Sequence, residues 1–300
     1  MAISTEISPG HRIEAWAFDR YFQHFAKMPL DRASDAGAAW GQRLGPLLGA
    51  HKTALNNLRL AFPERDAPWR AQTARAMWAG LGRTVAEFPH LHEINAYESN
   101  GRIAVEGAER LDAVKDSGRG AVFISGHFSN WEIMAAAIVQ RGVVCHVTYR
   151  PANNPIIDGR IITVRSHYGV RLQAAKGKEG GMGLLRALAK GETVALMNDQ
   201  KYNEGVAAPL FGHDAMTADG PTRLAHRFKV PLIPMSVLRT GGAHFRVAVH
   251  EPIPIDYDAP LDAAIPDAVA AINAFMEARI RAAPEQWFWV HKRWPKEAWG

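Results

Sequence analysis

Apolar positions follow two rhythms along the chain. Up to about residue 100 they recur at helical spacing. Ile13, Trp16, Ala17, Tyr21, Phe25 and Met28 share one broad face, which Phe18 and Phe22 widen. Asp19, Arg20 and Lys27 interrupt it, so this helix cannot span a bilayer; it either lies in a membrane interface or packs on its own domain. Pro63 ends a second helical stretch over 53–62. Asp66 caps a third, with Pro68 in its first turn. Its stripe, Ala74, Met77, Trp78, Leu81, Val85 and Phe88, reads as core.

Beyond about residue 110, short β-rich runs at 121–125, 143–149, 170–173, 193–197, 232–238 and 245–250 alternate with other segments. Helical stretches around 130–141, 156–167, 179–190 and 219–229 separate the first five. The alternation predicts an α/β fold with a mixed, mainly parallel sheet flanked by helices. Thr240-Gly241-Gly242 predicts a hairpin, which makes the last pair antiparallel. A helix over about 262–282 follows. The division is a helical region at 1–105 and an α/β core at 106–300, in one integrated domain. No internal repeat, low-complexity tract or linker interrupts it.

Composition narrows the classes. With 300 residues, 47% apolar and 22% charged, the chain is ordinary globular material. That excludes disorder, collagen and disulfide scaffolds as descriptions of the whole. Cys145 is the single cysteine, so neither an intrachain disulfide nor a multi-cysteine zinc site can form. A net charge of +5 suits nucleic acid, an acidic carrier protein or an anionic membrane face, and does not choose among them. No stretch approaches the ~18 apolar residues of a spanning helix. Residues 1–12 have no secretory pattern. The expectation is a protein that stays in the cytoplasm or lies on a membrane without crossing it.

Several chemistries drop out. There is no G-x-x-x-x-G-K-[ST] loop, and the glycine-rich run at 177–183 reads as a turn and helix start. No G-x-S-x-G elbow is present. His90-Leu91-His92-Glu93 has no zinc spacing and reads as a surface turn; no metal site is expected.

The informative segment is Ser125-Gly126-His127-Phe128-Ser129-Asn130-Trp131-Glu132, which joins an apolar strand to a helix start. Spacing alone means little, because this content of histidines and acids supplies roughly one such His-to-acid pair by chance. On a single helix the two side chains would lie about 140° apart. With His127 on the loop and Glu132 in the first helical turn, they can converge. Gly126 permits a tight turn, and Ser129 can cap the helix. The carboxyl end of a strand is where open α/β sheets place ligands. A carboxylate beside an imidazole fixes its tautomer and stabilises its protonated form, which makes a general base for a hydroxyl. A capped helix carrying an incidental histidine is the competing reading.

Gly126-His127-Phe128-Ser129-Asn130-Trp131-Glu132 resembles the H-x4-[DE] block of the glycerolipid acyltransferase superfamily. Its glutamate form is similar to the bacterial lipid A late acyltransferases, the lauroyl and myristoyl transferases. Further blocks agree in order: Asn57-Leu58-Arg59-Leu60-Ala61-Phe62-Pro63; Tyr149-Arg150-Pro151 with Asn154-Pro155; Asn198-Asp199-Gln200; Phe211-Gly212 to Thr217, then Gly220-Pro221 and Arg223-Leu224-Ala225; and the terminal Pro284-Glu285-Gln286-Trp287-Phe288-Trp289-Val290-His291-Lys292-Arg293-Trp294. The resemblance covers about residues 12–296. Two departures stand out: a charged, amphipathic first helix in place of a spanning one, and a short polar segment at 201–208.

The resemblance implies a glycerolipid acyltransferase-like fold. It also implies transfer of a fatty acyl chain from an acyl carrier protein thioester, with acyl-CoA as the alternative donor, to a hydroxyl of a lipid A precursor. Acylation of another glycolipid or a lysophospholipid, or a non-catalytic membrane-binding module, are the alternatives. In the implied chemistry His127 deprotonates the hydroxyl and Glu132 holds the imidazole. Arg150 supplies an oxyanion donor, binds an acceptor phosphate, or makes a surface salt bridge. Asp199 positions His127 or Arg150, or caps a turn. Arg223 grips a phosphate, neutralises Asp199, or forms a structural ion pair. Asn130 stands with them as a substrate or oxyanion residue. No metal, nucleotide or redox cofactor is required. The aromatic and basic terminal segment suits single-stranded nucleic acid, a membrane interface, or packing under the sheet; no basic stripe elsewhere supports nucleic acid. The expected place is the cytoplasmic face of the bacterial inner membrane, as a peripheral protein docked through the first helix.

Overall fold

The computed structural model describes residues 7–174 and 178–299. Residues 1–6, at the start of the segment read for a secretory signal, and Gly177, the first of the glycine-rich run, lie outside the described residues. Among the described residues the chain opens with helices α1 (Pro9–Ala26), α2 (Leu30–Leu44), α3 (Ala50–Ala61) and α4 (Ala67–Glu87). The α/β part runs β1 (Ile103–Glu106), α5 (Ala108–Ser117), β2 (Val122–Ser125), α6 (Met134–Val139), β3 (Cys145–Tyr149), α7 (Pro155–Ser166), β4 (Arg171–Ala174), α8 (Lys178–Ala189), β5 (Thr193–Met197), β6 (Val206–Leu210), β7 (His213–Thr217), α9 (Gly220–Phe228), β8 (Leu232–Gly241), β9 (His244–Val249) and α10 (Leu261–Ala282).

The main sheet has seven strands in the order β1-β9-β8-β2-β5-β3-β4. All neighbours are parallel except β8 and β9, which the turn at Gly241-Gly242 folds back as an antiparallel pair. The mainly parallel α/β sheet flanked by helices, with a helical N-terminal region, is therefore the architecture of the chain. Strand β2 sits between β8 and β5, and all four of its residues are buried. A strand covered on both faces reads as a continuous apolar run, and Val122-Phe123-Ile124 is one. Strand β1 and the separate hairpin β6–β7, turned by Phe211-Gly212 at positive φ, are additional to the elements expected.

The helical region is held by close backbone contact. A Cβ on Gly37 would stand 2.3 Å from Gly82 O, and one on Gly82 would stand 2.0 Å from Gly37 O. Only glycine lets α2 and α4 approach this far. Asp66 caps α4 by accepting from Trp69 N at 2.8 Å, with Pro68 in the first turn, as expected. Ala74, Met77 and Trp78 are buried, but Val85 is 46% exposed and does not belong to the core stripe. The contact with α2 through Gly82 sets the orientation of α4 and turns Val85 outward.

The first helix divides its apolar face. Phe25 is buried against Ala33 and Ala86, with Tyr21 and Met28 beside it, while Ile13 and Trp16 are about two-thirds exposed at 69% and 66%. Asp19 pairs with Arg160, and Asn154 donates to Glu14, so α1 docks on α7. Among the described residues no helix is long and apolar enough to cross a membrane. His90 is not on a surface turn: it is buried in the 3-10 helix Phe88–Glu93, between Glu93 Oε1 and Phe25 O.

Candidate active site

Strand register builds the site. Ser125 on β2 pairs with Met197 on β5. Two residues further along each strand come His127 and Asp199, so the two side chains leave adjacent strands side by side. Asp199 Oδ1 meets His127 Nδ1 at 2.8 Å, and Asp199 Oδ2 accepts from the His127 backbone N–H at 2.7 Å. The indole Nε1–H of Trp287 donates to the same Oδ2 at 2.8 Å. Gly126 makes the approach feasible, because a Cβ there would stand 3.1 Å from the Asp199 carboxylate and 2.9 Å from the Phe128 ring.

The expected His127–Glu132 contact is corrected by this geometry. Glu132 instead forms a two-pronged pair with Arg165, whose Nε and Nη2 donate at 2.8 and 2.6 Å. The cause is local backbone. The helix after the loop begins as a 3-10 turn over Trp131–Ile133, which directs Glu132 to α7 rather than back over the loop. Ser129 does not cap that helix either. It sits at φ 44°, its N–H donates to Gln286 O, and its Oγ has no hydrogen-bond partner among the described residues.

Charge tunes the imidazole. Burial acts to lower the His127 pKa, but the Asp199 charge and hydrogen bond, helped by Glu132, carry it above the ordinary histidine value. Burial likewise acts to raise Asp199, yet His127, the hydrogen bonds and His291 hold it well below the usual carboxylate range. The His291 ring lies 5.1 Å from that of His127, and burial with the neighbouring imidazole pushes its pKa down to about 4.

The loop carrying His127 is clamped from three sides. Phe288 N donates to His127 O, and Phe128 bridges to Trp287. Thr84 Oγ1 donates to Ser129 O. Asn130 is fully buried, and its amide donates to Glu87 Oε2 at 2.8 Å; Glu87 also receives Ser34 and both Nη groups of Arg239. Asn130 thus supports the loop from behind and is not brought to His127. Trp287, Trp289 and Trp294 are buried, while Phe288 is half-buried against Trp131 and His291.

A cavity of about 950 Å³ opens at His127. Its lining mixes apolar residues, among them Leu91, Ile138, Val147 and Val170, with polar ones, among them Arg150, Asn198, Gln200 and Lys201. Glu132 and Arg165 form part of the wall. Arg223 is elsewhere: its Nε donates at 2.8 Å to Asp219, the residue that precedes α9, so it neutralises that residue and not Asp199. Sequence reasoning missed Arg165, Glu87 and His291 as neighbours of the site. His291 stands in the terminal aromatic motif and was the most readable of the three; Arg165 and Glu87 carry no local signal.

A family described as bacterial lipid A biosynthesis acyltransferase matches residues 4–296. The chain is 26% identical over 278 residues to the lipid A biosynthesis palmitoleoyltransferase of Escherichia coli K12, covering 90% of this chain and 87% of that protein. It is 29% identical over 255 residues to the lauroyltransferase of the same organism, covering 81% and 78%. With the corresponding myristoyltransferase it shares 23% identity over 258 residues, covering 83% and 78%.

Proposed function

The chain belongs to the bacterial lipid A biosynthesis acyltransferase family, and from that premise we propose that it moves a fatty acyl chain from an acyl carrier protein thioester to a hydroxyl of a lipid A precursor. The observation that carries the mechanism is the His127–Asp199 pair, with His127 in the lining of the large cavity. With Nδ1–H directed at the carboxylate, Nε2 is the basic nitrogen. It takes the proton of the acceptor hydroxyl as that oxygen attacks the thioester carbonyl. The tetrahedral intermediate then collapses, the C–S bond breaks, and the imidazolium returns its proton to the leaving thiolate. Asp199 stabilises the imidazolium throughout.

The apolar residues of the lining suit the acyl chain, which loses contact with water there. Arg150 and Lys201 suit anionic groups of either substrate. Glu132 acts through Arg165, holding a cavity wall and adding negative potential near His127.

We read residues 1–105 as the membrane-docking part and 106–300 as the acyl-transfer core. Ile13 and Trp16 on α1, with Trp40, Leu44, Leu47 and Leu48 around the end of α2, are exposed apolar groups of the kind that enter a lipid interface. This supports peripheral attachment at the cytoplasmic face of the inner membrane. The test is incubation of the protein with acyl carrier protein thioesters, acyl-CoA and lipid A precursors, followed by mass spectrometry. An acylated precursor that disappears with His127→Ala supports the reading. Acylation of lysophospholipid alone overturns the acceptor assignment.

A further inference from the structure

The loop that carries His127 contains a strained residue inside a closed circuit of hydrogen bonds. Ser129 holds φ at 44°, in the left-handed region that residues other than glycine rarely adopt. Such a conformation persists only where the surroundings over-determine it. The Ser129 N–H donates to Gln286 O. The Gln286 side chain in turn holds the Arg239 backbone at both groups, accepting from its N–H at 2.8 Å and donating to its carbonyl at 3.1 Å. The Arg239 guanidinium meets Glu87 through two hydrogen bonds, at 2.6 and 2.9 Å. Glu87 Oε2 accepts from the Asn130 amide at 2.8 Å, and Asn130 follows Ser129 in the chain, so the circuit is closed.

Glu87 occupies an unfavourable place for an anion. It is the last residue of α4, at the negative end of the helix dipole, and it has no exposed surface. A full set of donors compensates: Oε1 takes Ser34 Oγ and Arg239 Nη1, and Oε2 takes Asn130 Nδ2 and Arg239 Nη2. A buried ion pair is nonetheless a poor source of stability, since apolar side chains of similar size commonly do as well or better. What the pair supplies in full is geometry, because the two-pronged contact admits one arrangement.

We propose that Glu87 and Arg239 are positioning residues for acyl transfer, which act through Asn130 and Gln286 to hold the Ser129 turn and, two residues before it, the His127 imidazole. The proposal rests on the reading of His127 as the base. Neither residue has to touch a substrate for this role. Ser34 brings α2 to the same carboxylate, so the helical region sets the place of the base together with the sheet.

The test replaces the pair by apolar side chains, Glu87→Leu with Arg239→Met, which leaves no unpaired charge. Thermal unfolding, steady-state transfer from lauroyl-acyl carrier protein to a lipid A precursor, and the NMR signal of the His127 Nδ1–H are measured. The melting temperature is expected to stay within about 4 °C of wild type. The kcat is expected to fall by ~10–100-fold, since a misplacement of about 1 Å costs that much, while the donor KM stays within about 2-fold. The Nδ1–H signal, which reports the bond to Asp199, is expected to shift or broaden. Gln286→Leu opens the circuit at another edge with the ion pair intact, and the same fall in kcat is expected there; it decides the matter if the double variant does not fold. Wild-type kcat in the folded variants, or an unchanged His127 signal, overturns the proposal. So does a double variant whose melting temperature drops while its folded fraction keeps full turnover, which is the mark of a pair that serves stability alone. If the wild-type protein acylates no lipid A precursor, the acceptor reading fails, and the His127 signal still decides the positioning.

Discussion

Trp287 donates its indole N–H to Asp199 across a sequence separation of 88 residues, at 2.8 Å. The carboxylate that faces His127 is therefore finished by a residue from the terminal aromatic segment. Oδ2 receives two donors, the indole and the His127 backbone N–H, and Oδ1 is left for the imidazole. Two fixed donors on one oxygen set the plane of the carboxylate and so the direction in which it holds the ring.

Removing the base is the first expectation. His127→Ala should lower kcat by ~10²–10⁴, the usual span for general acid–base catalysis. Acyl-donor binding, measured by equilibrium titration with an acyl carrier protein thioester, should persist because the cavity wall remains. Retained turnover in the folded variant would exclude His127 as the base.

Kinetic titration separates the two carboxylates. The free base is the active form, so kcat/KM should rise with pH through an apparent pKa above the ordinary histidine value, as the raised His127 requires. Asp199→Asn should move that pKa down and also cut turnover. Its amide oxygen can keep the two donors now on Oδ2, which turns the NH2 toward Nδ1 and forces the tautomer that carries its proton on Nε2, so the base is lost. Glu132→Gln should move the pKa less, because Glu132 acts on His127 at a distance and its direct partner is Arg165. A larger shift in Glu132→Gln than in Asp199→Asn would reverse the assignment.

Stability should carry the mark of the same pair. Asp199 is depressed in the folded state, so its contribution is present above its unfolded pKa and lost as pH falls through the folded one. His127 is raised, so its contribution is complete below its unfolded pKa and lost as pH rises through the folded one. The melting-temperature gap between wild type and Asp199→Asn should then be widest between about pH 4 and pH 6.5. A gap independent of pH from 3 to 9 would contradict it.

Cys145 is buried in β3, and burial pushes its thiol up to about 12. It cannot serve as a nucleophile at neutral pH. Cys145→Ser should cost some stability and keep turnover within about 3-fold of wild type, since no thiol ester is formed on the protein. Complete loss of turnover in a folded Cys145→Ser protein would overturn direct transfer.

Membrane binding should depend on exposed apolar groups and not on α1 as a whole. Deleting α1 would break the Asp19–Arg160 pair and bare Ala33 and Ala86, which Phe25 covers, so point changes are the cleaner probe. Trp16→Ser with Ile13→Ser should weaken co-sedimentation with anionic phospholipid vesicles by ~10-fold or more, given the apolar area withdrawn from the lipid. Wild-type binding should also weaken with salt. Unchanged sedimentation of the double variant would remove α1 from the docking surface.

The legible part of the fold was whatever local pattern determines. The helix–strand alternation, the Asp66 cap and the hairpin at Gly241-Gly242 each depend on residues near one another in sequence. His127 was legible because a strand, a glycine and a helix start surround it. Its partner was harder, since the sequence marks where β2 and β5 end but not that they lie side by side. Glu132 looked closer on paper because it is five residues away; the 3-10 turn at Trp131–Ile133 took it to Arg165. Gly37 and Gly41 on α2 carry a long-range role that local pattern does not show, the close contact with α4 at Gly82 and Trp78.

The dependence of the His127 loop on residues 286–288 has a consequence for biogenesis. Gln286 O accepts from Ser129 N, Phe288 N donates to His127 O, and Trp287 completes Asp199. During synthesis the parallel strands can pair as they emerge, but these three clasps come only after α10 has left the ribosome. Until then the growing polypeptide holds an unaligned imidazole beside an underbonded carboxylate. Acyl transfer thus becomes available late in translation, and nascent chains that stall before Trp287 should not consume acyl thioesters.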